Sequence, residues 1–270
     1  MILNYYDKGN IEDPIVVFIH GSASDATVWL NELNVISSQG YYCIALDLRG
    51  HGETRLLQQP KEHVRIDIDS HLHDVKETLR EIGIYPDRQV TIVTHSFGGI
   101  VAVNLAEQTP NFVEKLILVA MPPKLVSPVK EFLQLLLGKP IELIQKNLDL
   151  LQSSPLRPRY KSSIMTNAHV LQEIYKHVRN WNGFRKVHKL ECKVHFAAGR
   201  FDMVAPATLV FRMSELCPNS QFELFKWSGH ALMEDEPDKF RLWLYKSIAS
   251  TKTGNNKSNK QEPQTQTDKS

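Results

Sequence analysis

Three residues far apart in the chain are of the types that could work as one chemical unit. Ser96 stands in Val93-Thr94-His95-Ser96-Phe97-Gly98-Gly99, Asp202 in Gly199-Arg200-Phe201-Asp202, and His230 in Ser228-Gly229-His230. A serine hydroxyl is a weak nucleophile until a base takes its proton. An imidazole serves as that base when a carboxylate fixes its tautomer. The matching chemistry is acyl transfer, in which the serine attacks a carbonyl and backbone N–H groups stabilise the oxyanion that forms. Two amides are candidates for that role: Phe97, directly after the serine, and Ser22, in the run His20-Gly21-Ser22-Ala23-Ser24.

Each candidate follows a segment that could hold it in place. Gln89-Val90-Thr91-Ile92-Val93 is β-branched and apolar, the pattern of a strand buried in a parallel sheet, and Ile100 to Glu107 reads as a helix. A strand turning this sharply into a helix strains the residue at the turn and demands small neighbours, here Gly98 and Gly99. The segment is a nucleophile elbow with one departure from G-x-S-x-G: Thr94 takes the first glycine position. His230 follows a last alternating run, Gln221 to Lys226, and Asp202 follows Cys192 to Ala198. The chain order is therefore Ser, Asp, His.

Other residues compete for these roles. His95 lies beside the serine at a buried strand end, where packing is the expected role. His20 and His51 sit in glycine turns and are expected to bond nearby backbone. His71 and His73 lie two apart on a helix and point different ways, a poor metal pair. Asp47 is expected to pin Arg49 and the turn Asp47-Leu48-Arg49-Gly50-His51-Gly52. Asp235 and Asp238 flank a helix start, where carboxylates suit the dipole.

The wider pattern alternates strands with helices. Strands are expected at residues 1–8, 14–19, 41–46 and 115–120, and helices after Ser24 or Asp25, over 69–82 and over 237–248. That alternation predicts an α/β fold with a mostly parallel sheet and helices on both faces. Ligands then bind beyond the carboxyl ends of the strands, where the polar stops at 20–24, 47–52, 94–98, 199–202 and 227–230 all fall. From Met121-Pro122-Pro123 to about Lys189 the strand pattern lapses, and the spacing predicts helices over 129–137, 141–151 and 168–181. Residues 251–270 hold no apolar side chain and read as a disordered polar tail.

Composition narrows the partners. The chain has 270 residues, 23% charged, and a net charge of +2, four lysines and two acids of which lie in the tail. That charge is too small to imply a nucleic-acid or a membrane partner. Cys43, Cys192 and Cys217 form no C-x-x-C pair, so neither a disulfide framework, a metal nor a cofactor is expected, and a reducing cytoplasmic setting is. No secretory leader or membrane span is read.

These motifs, in this order and each after a strand, resemble the α/β-hydrolase superfamily over about residues 1–250: His20-Gly21, Asp47 to Gly52, Thr94 to Gly98, Gly199 to Asp202, and Gly229-His230. The resemblance implies an eight-stranded, mostly parallel sheet. It divides the chain into a core of 1–121 and 190–250 and a helical lid, 122–189, inserted after the sixth strand. It also implies a serine hydrolase acting on an ester, thioester or related lipophilic acyl substrate. Serine at 96 argues against dehalogenase or epoxide hydrolase chemistry, which uses an aspartate there. Apolar lid residues, Leu136 and Leu148 among them, are expected to line the substrate pocket. A ligand receptor on the same fold, or an acyltransferase, are the alternatives.

Overall fold

The computed structural model describes residues 1–54, 65–127, 129–137, 166 and 168–250. Its elements run β1 (Tyr5–Lys8), β2 (Ile15–Ile19), α1 (Leu30–Ser37), β3 (Tyr42–Leu46), α2 (Ile68–Glu81), β4 (Val90–His95), α3 (Phe97–Gln108), β5 (Val113–Val119), α4 (Val129–Leu136), α5 (Ala168–Val178), β6 (Lys193–Gly199), α6 (Ala207–Glu215), β7 (Ser220–Phe225), α7 (Leu232–Asp235) and α8 (Pro237–Ala249). The strands form one sheet in the order β1-β3-β2-β4-β5-β6-β7. Only β1 runs antiparallel, against β3.

Both faces of the sheet are covered, which is why the central strands read as unbroken apolar runs rather than alternating ones. Successive side chains still point to opposite faces. Val17, Ile19, Ile92 and Leu116 pack with Leu72, Val75 and Leu79 of α2, Val101 and Leu105 of α3, and Val210 and Met213 of α6. Val16, Phe18, Val93 and Ile117 pack with Leu33 and Ile36 of α1 and with Phe240, Leu244 and Ile248 of α8. The same alternation turns Lys115 toward α8. Its ammonium is buried and donates to the carbonyls of Ser247 (2.5 Å) and Ile248 (2.8 Å) and to Ser250 Oγ (2.9 Å), supplying the donors that the end of a helix lacks.

Three expectations are revised. Among the described residues the sheet has seven strands rather than eight, because a single strand-forming run, β1, precedes Ile15. The insertion accordingly follows the fifth strand, β5, and not the sixth. The helix expected after Ser24 begins as a 3-10 turn, Ala26–Trp29, before becoming α1; Asp25 caps it by accepting the Thr27 N–H at 3.0 Å. Helix α6 has no counterpart in the sequence reading. The helix expected over 141–151, Leu148 and the tail at 251–270 lie outside the described residues.

Candidate active site

Ser96 occupies the turn from β4 into α3 with φ 50° and ψ −116°, a left-handed conformation that a non-glycine residue adopts only when its surroundings enforce it. They do so here from both sides. The Ser96 N–H donates to Val119 O at the end of β5 (2.9 Å), and the Gly99 N–H donates to Ser96 O (2.9 Å). A Cβ at Gly98 would stand 2.6 Å from the carbonyl oxygens of Ile19 and His20, so glycine is what lets α3 start against the end of β2. Thr94 is accommodated two residues before the serine. It is fully buried, and its hydroxyl donates to Ile117 O at 3.3 Å on β5.

The structure brings all three candidate chemical residues together. His230 Nε2 lies 3.0 Å from Ser96 Oγ, and His230 Nδ1 lies 2.8 Å from Asp202 Oδ2. Since the carboxylate can only accept, Nδ1 carries the ring proton and the bare Nε2 faces the serine hydroxyl. Asp202 Oδ1 accepts the N–H groups of Val204 (2.8 Å) and Ala205 (2.9 Å). Burial alone would raise the Asp202 carboxyl. The hydrogen bond and charge of His230, with those two amides, outweigh it and hold the group below the usual carboxylate range.

The loops bearing the acid and the base are locked together and to the elbow. A Cβ on Gly199 would fall 2.0 Å from Gly229 O, so the two backbones touch only because residue 199 is glycine. Asp235 Oδ2 accepts the Gly229 N–H, and Glu236 Oε2 accepts from both the Trp227 N–H and the Ser228 hydroxyl, each at 2.8 Å. Asp235 thus braces the base loop beyond its expected place at a helix start. His95 does more than pack: Nε2 donates to the His230 carbonyl at 2.8 Å, with the two rings 4.9 Å apart. Sequence reasoning missed this tie, since nothing local signals a partner 135 residues away.

Around the site the turns hold as expected, with one change of partner. His20 accepts the Leu48 N–H at Nε2 (2.9 Å) and donates from Nδ1 to Gly21 O (2.7 Å). His51 donates to Arg49 O (2.9 Å). Asp47 accepts from Ala26 N–H (2.7 Å), Glu53 N–H (2.9 Å) and Asn4 Nδ2 (2.8 Å), pinning the glycine turn. It does not hold Arg49, which pairs bidentately with Asp74 of α2 at 2.6 and 2.7 Å. His71 is buried and His73 exposed, so they do not converge.

Ser96 opens into a cavity of about 260 Å³. Ser22, Ala23 and Phe97 line its polar end. As the first residue of α3, Phe97 has an N–H with no acceptor inside the helix. The remaining wall is apolar: Leu133 of α4 and Leu137 just after it, Leu171, Ile174 and Val178 of α5, and Ile100 of α3. Tyr175 also faces it, and its hydroxyl donates to Lys130 O (2.8 Å). Leu136 falls on α4, and the cavity is lined by its neighbours Leu133 and Leu137.

Residues 16–241 match the model of the Alpha/beta hydrolase family. A protein of Mycobacterium bovis is 26% identical over 259 residues, covering 84% of this chain and 73% of its own. Epoxide hydrolase 1 of Caenorhabditis elegans is 32% identical over 120 residues, covering 44% of this chain and 28% of its own. An esterase from Exiguobacterium antarcticum has a similar fold, with a TM-score of 0.75 at 20% identity over 93% of this chain and 96% of its own.

Proposed function

The chain belongs to the alpha/beta hydrolase family, and on that premise we propose that it is a serine hydrolase cleaving esters or thioesters of short, uncharged acyl groups. The observation that carries this reading is the hydrogen-bonded series Ser96–His230–Asp202 at the mouth of an apolar cavity. His230 Nε2 takes the hydroxyl proton as Ser96 Oγ attacks the carbonyl carbon. The Phe97 and Ser22 amides receive the oxyanion. The protonated His230 then gives its proton to the departing alcohol or thiol, leaving an acyl-serine, and water repeats the sequence to release the acid. Asp202 stays ionised and holds the imidazole in the reactive tautomer.

Two features favour this substrate class. The cavity is smaller than the roughly 300–1,000 Å³ of common ligand pockets, which suits a short acyl group. Its described lining carries no charged side chain, so an ionised chain would lose hydration without a partner. Epoxide opening is disfavoured by chemistry. Attack by a serine oxygen on an epoxide carbon leaves an ether, which has no carbonyl for water to attack, and turnover would stop after one cycle. α4 and α5, which roof the cavity, serve as the lid through which the substrate enters.

The test is labelling with a fluorophosphonate, followed by mass spectrometry. One adduct per chain on Ser96 is expected, and Ser96→Ala should abolish it and lower short-ester turnover by about 10⁴-fold or more. Absence of an adduct on correctly folded protein would point to a ligand receptor, and an adduct on another residue would remove Ser96 from the reaction.

A further inference from the structure

A second cavity, of about 380 Å³, borders the acid loop and shares no described lining residue with the acyl site. Its walls are the stems of Arg200 and Lys226 with Pro206, Thr208 and Leu224. Asp202 forms its floor, but the Asp202 carboxylate is wholly buried and turned to His230, so its charge does not face this space. Among the described residues neither Arg200 nor Lys226 is paired with a carboxylate. The cavity is thus mainly apolar with two cations at its rim, the complement of an anionic group carried on an apolar body.

The rim continues into exposed apolar side chains. Phe201, Met203 and Trp227 are 59%, 72% and 76% exposed, and the Arg200 guanidinium stands 5.8 Å above the Phe201 ring. These residues belong to one platform, because the Arg200 N–H donates to Phe225 O (2.9 Å) and the Phe201 N–H to Ser228 O (3.0 Å). The acids Asp235 and Glu236 stay charged, but their carboxylates accept from the Gly229 and Trp227 N–H groups and the Ser228 hydroxyl and are paired with neither Arg200 nor Lys226 among the described residues. Aromatic side chains standing in water beside unpaired basic ones are costly on a surface that meets only solvent, and they suit the boundary between headgroups and acyl chains.

We propose that this platform docks the protein on a lipid surface, with an anionic headgroup seated between Arg200 and Lys226 and with Phe201, Met203 and Trp227 entering the interfacial layer. The acid loop links the two sites: Val204, one residue beyond Met203, lines the acyl cavity with Ser96. An apolar ester partitioned into lipid would therefore meet the protein on the edge where the chemistry lies. No helix among the described residues is long and apolar enough to cross a membrane, so this association is peripheral. The docking is independent of the proposed hydrolysis and is read without it.

The full chain is mixed with phosphatidylcholine vesicles, or with vesicles in which a quarter of the lipid is phosphatidylglycerol, and bound protein is separated by flotation. Binding to the anionic vesicles only is expected, weakening as salt rises from about 0.05 to 0.5 M and the Debye length shrinks. The tryptophan emission should shift to the blue on binding, and Trp227→Ser should remove that shift. Arg200→Glu with Lys226→Glu, and separately Phe201→Ser with Trp227→Ser, should each weaken binding on the order of tenfold or more, with unchanged melting temperatures because all four side chains are exposed. Failure of the wild-type chain to float with anionic vesicles would overturn the proposal, as would either double variant floating like wild type. Binding of glycerol phosphate through Arg200 and Lys226 without flotation would also overturn it, assigning the cavity to a free anion.

Discussion

His71 is a buried group whose replacement should stabilise the protein. It lies on α2, is 1% exposed, and neither ring nitrogen has a hydrogen-bond partner among the described residues. Its ring meets Phe97 edge-on at 5.2 Å and 73°. A neutral imidazole still carries one N–H donor and one lone pair, and leaving such groups unsatisfied costs about 1–3 kcal/mol each. His71→Phe removes both while keeping a ring against Phe97. Taking the low end, about 1–1.5 kcal/mol for each of the two groups, and subtracting about 1 kcal/mol for fitting a larger ring, the net gain should be roughly 1–2 kcal/mol at pH 7. At about 2–4 °C per kcal/mol for a domain of this class, the melting temperature should rise by about 2–8 °C.

Acid gives a second readout. Burial first, then repulsion from His51, Arg49 and His20, pushes His71 down to about 3. Burial likewise pushes His20 to about 4, and burial with repulsion from His20 pushes His51 to about 3. These folded-state values lie below the unfolded value of 6.5, so in the window beneath it the unfolded chain binds protons that the folded chain refuses. Stability therefore falls as pH drops through this window, by up to about 1.4 kcal/mol per pH unit for each histidine. His71→Phe should remove about a third of the slope due to these three. Urea melts at pH 5, 6 and 7 measure both effects. A variant at least 1 kcal/mol less stable than wild type at pH 7, or one with an unaltered acid slope, would refute the reasoning and indicate that His71 is hydrogen-bonded to a bound water.

Other expectations follow from the same geometry. Asp202→Asn should lower short-ester turnover on the order of 10⁴-fold with the melting temperature little changed, because it favours the wrong His230 tautomer; steady-state kinetics would show it, and near-normal turnover would contradict the assigned role. Gly199→Ala should destabilise the chain by more than about 3 kcal/mol, since its methyl would overlap Gly229 O, and denaturant melts would reveal it. Burial pushes Lys115 down to about 8 from 10.5, so between those values the unfolded state again holds more protons and stability should rise with pH. Lys115→Met should abolish that rise in melts across pH 8–10. Leu171→Ala, which enlarges the cavity wall, should shift preference toward longer acyl chains in a panel of esters.

The parts of the fold legible in the sequence were those whose signal is local. β2 and β3 are buried at every residue and announce themselves as apolar runs. The elbow is legible because strain at Ser96 and the close approach at Gly98 both demand particular residue types. α6 escaped because Pro206 at its cap reads as a loop and Phe211 on its outer side is 46% exposed, which blurs the helical stripe. The candidate residues Ser96, Asp202 and His230 stand out by their places after strands, whereas the groups that brace them do not. His95 to His230 O and Glu236 to Trp227 N–H are long-range or loop-internal pairings that depend on how two turns meet, and neither residue type nor spacing encodes that. The change of partner for Arg49, from Asp47 to Asp74, has the same cause: a helix brought alongside by tertiary packing outcompetes a neighbour in sequence.

The capping of α8 by Lys115 has a practical reading for anyone handling the molecule. Lys115 lies near the start of β5, while Ser96 follows the end of β4, so the two stand at opposite poles of parallel strands. Two Lys115 hydrogen bonds to backbone carbonyls and one to the Ser250 hydroxyl anchor the end of α8 at the pole remote from Ser96. A fluorophore, affinity handle or immobilising tether joined directly to a chain ending at Ser250 is therefore grafted at the pole opposite Ser96. A surface-coupled preparation of that shortened chain, held at Ser250, would present Ser96 outward, oriented toward whatever solution is offered to it.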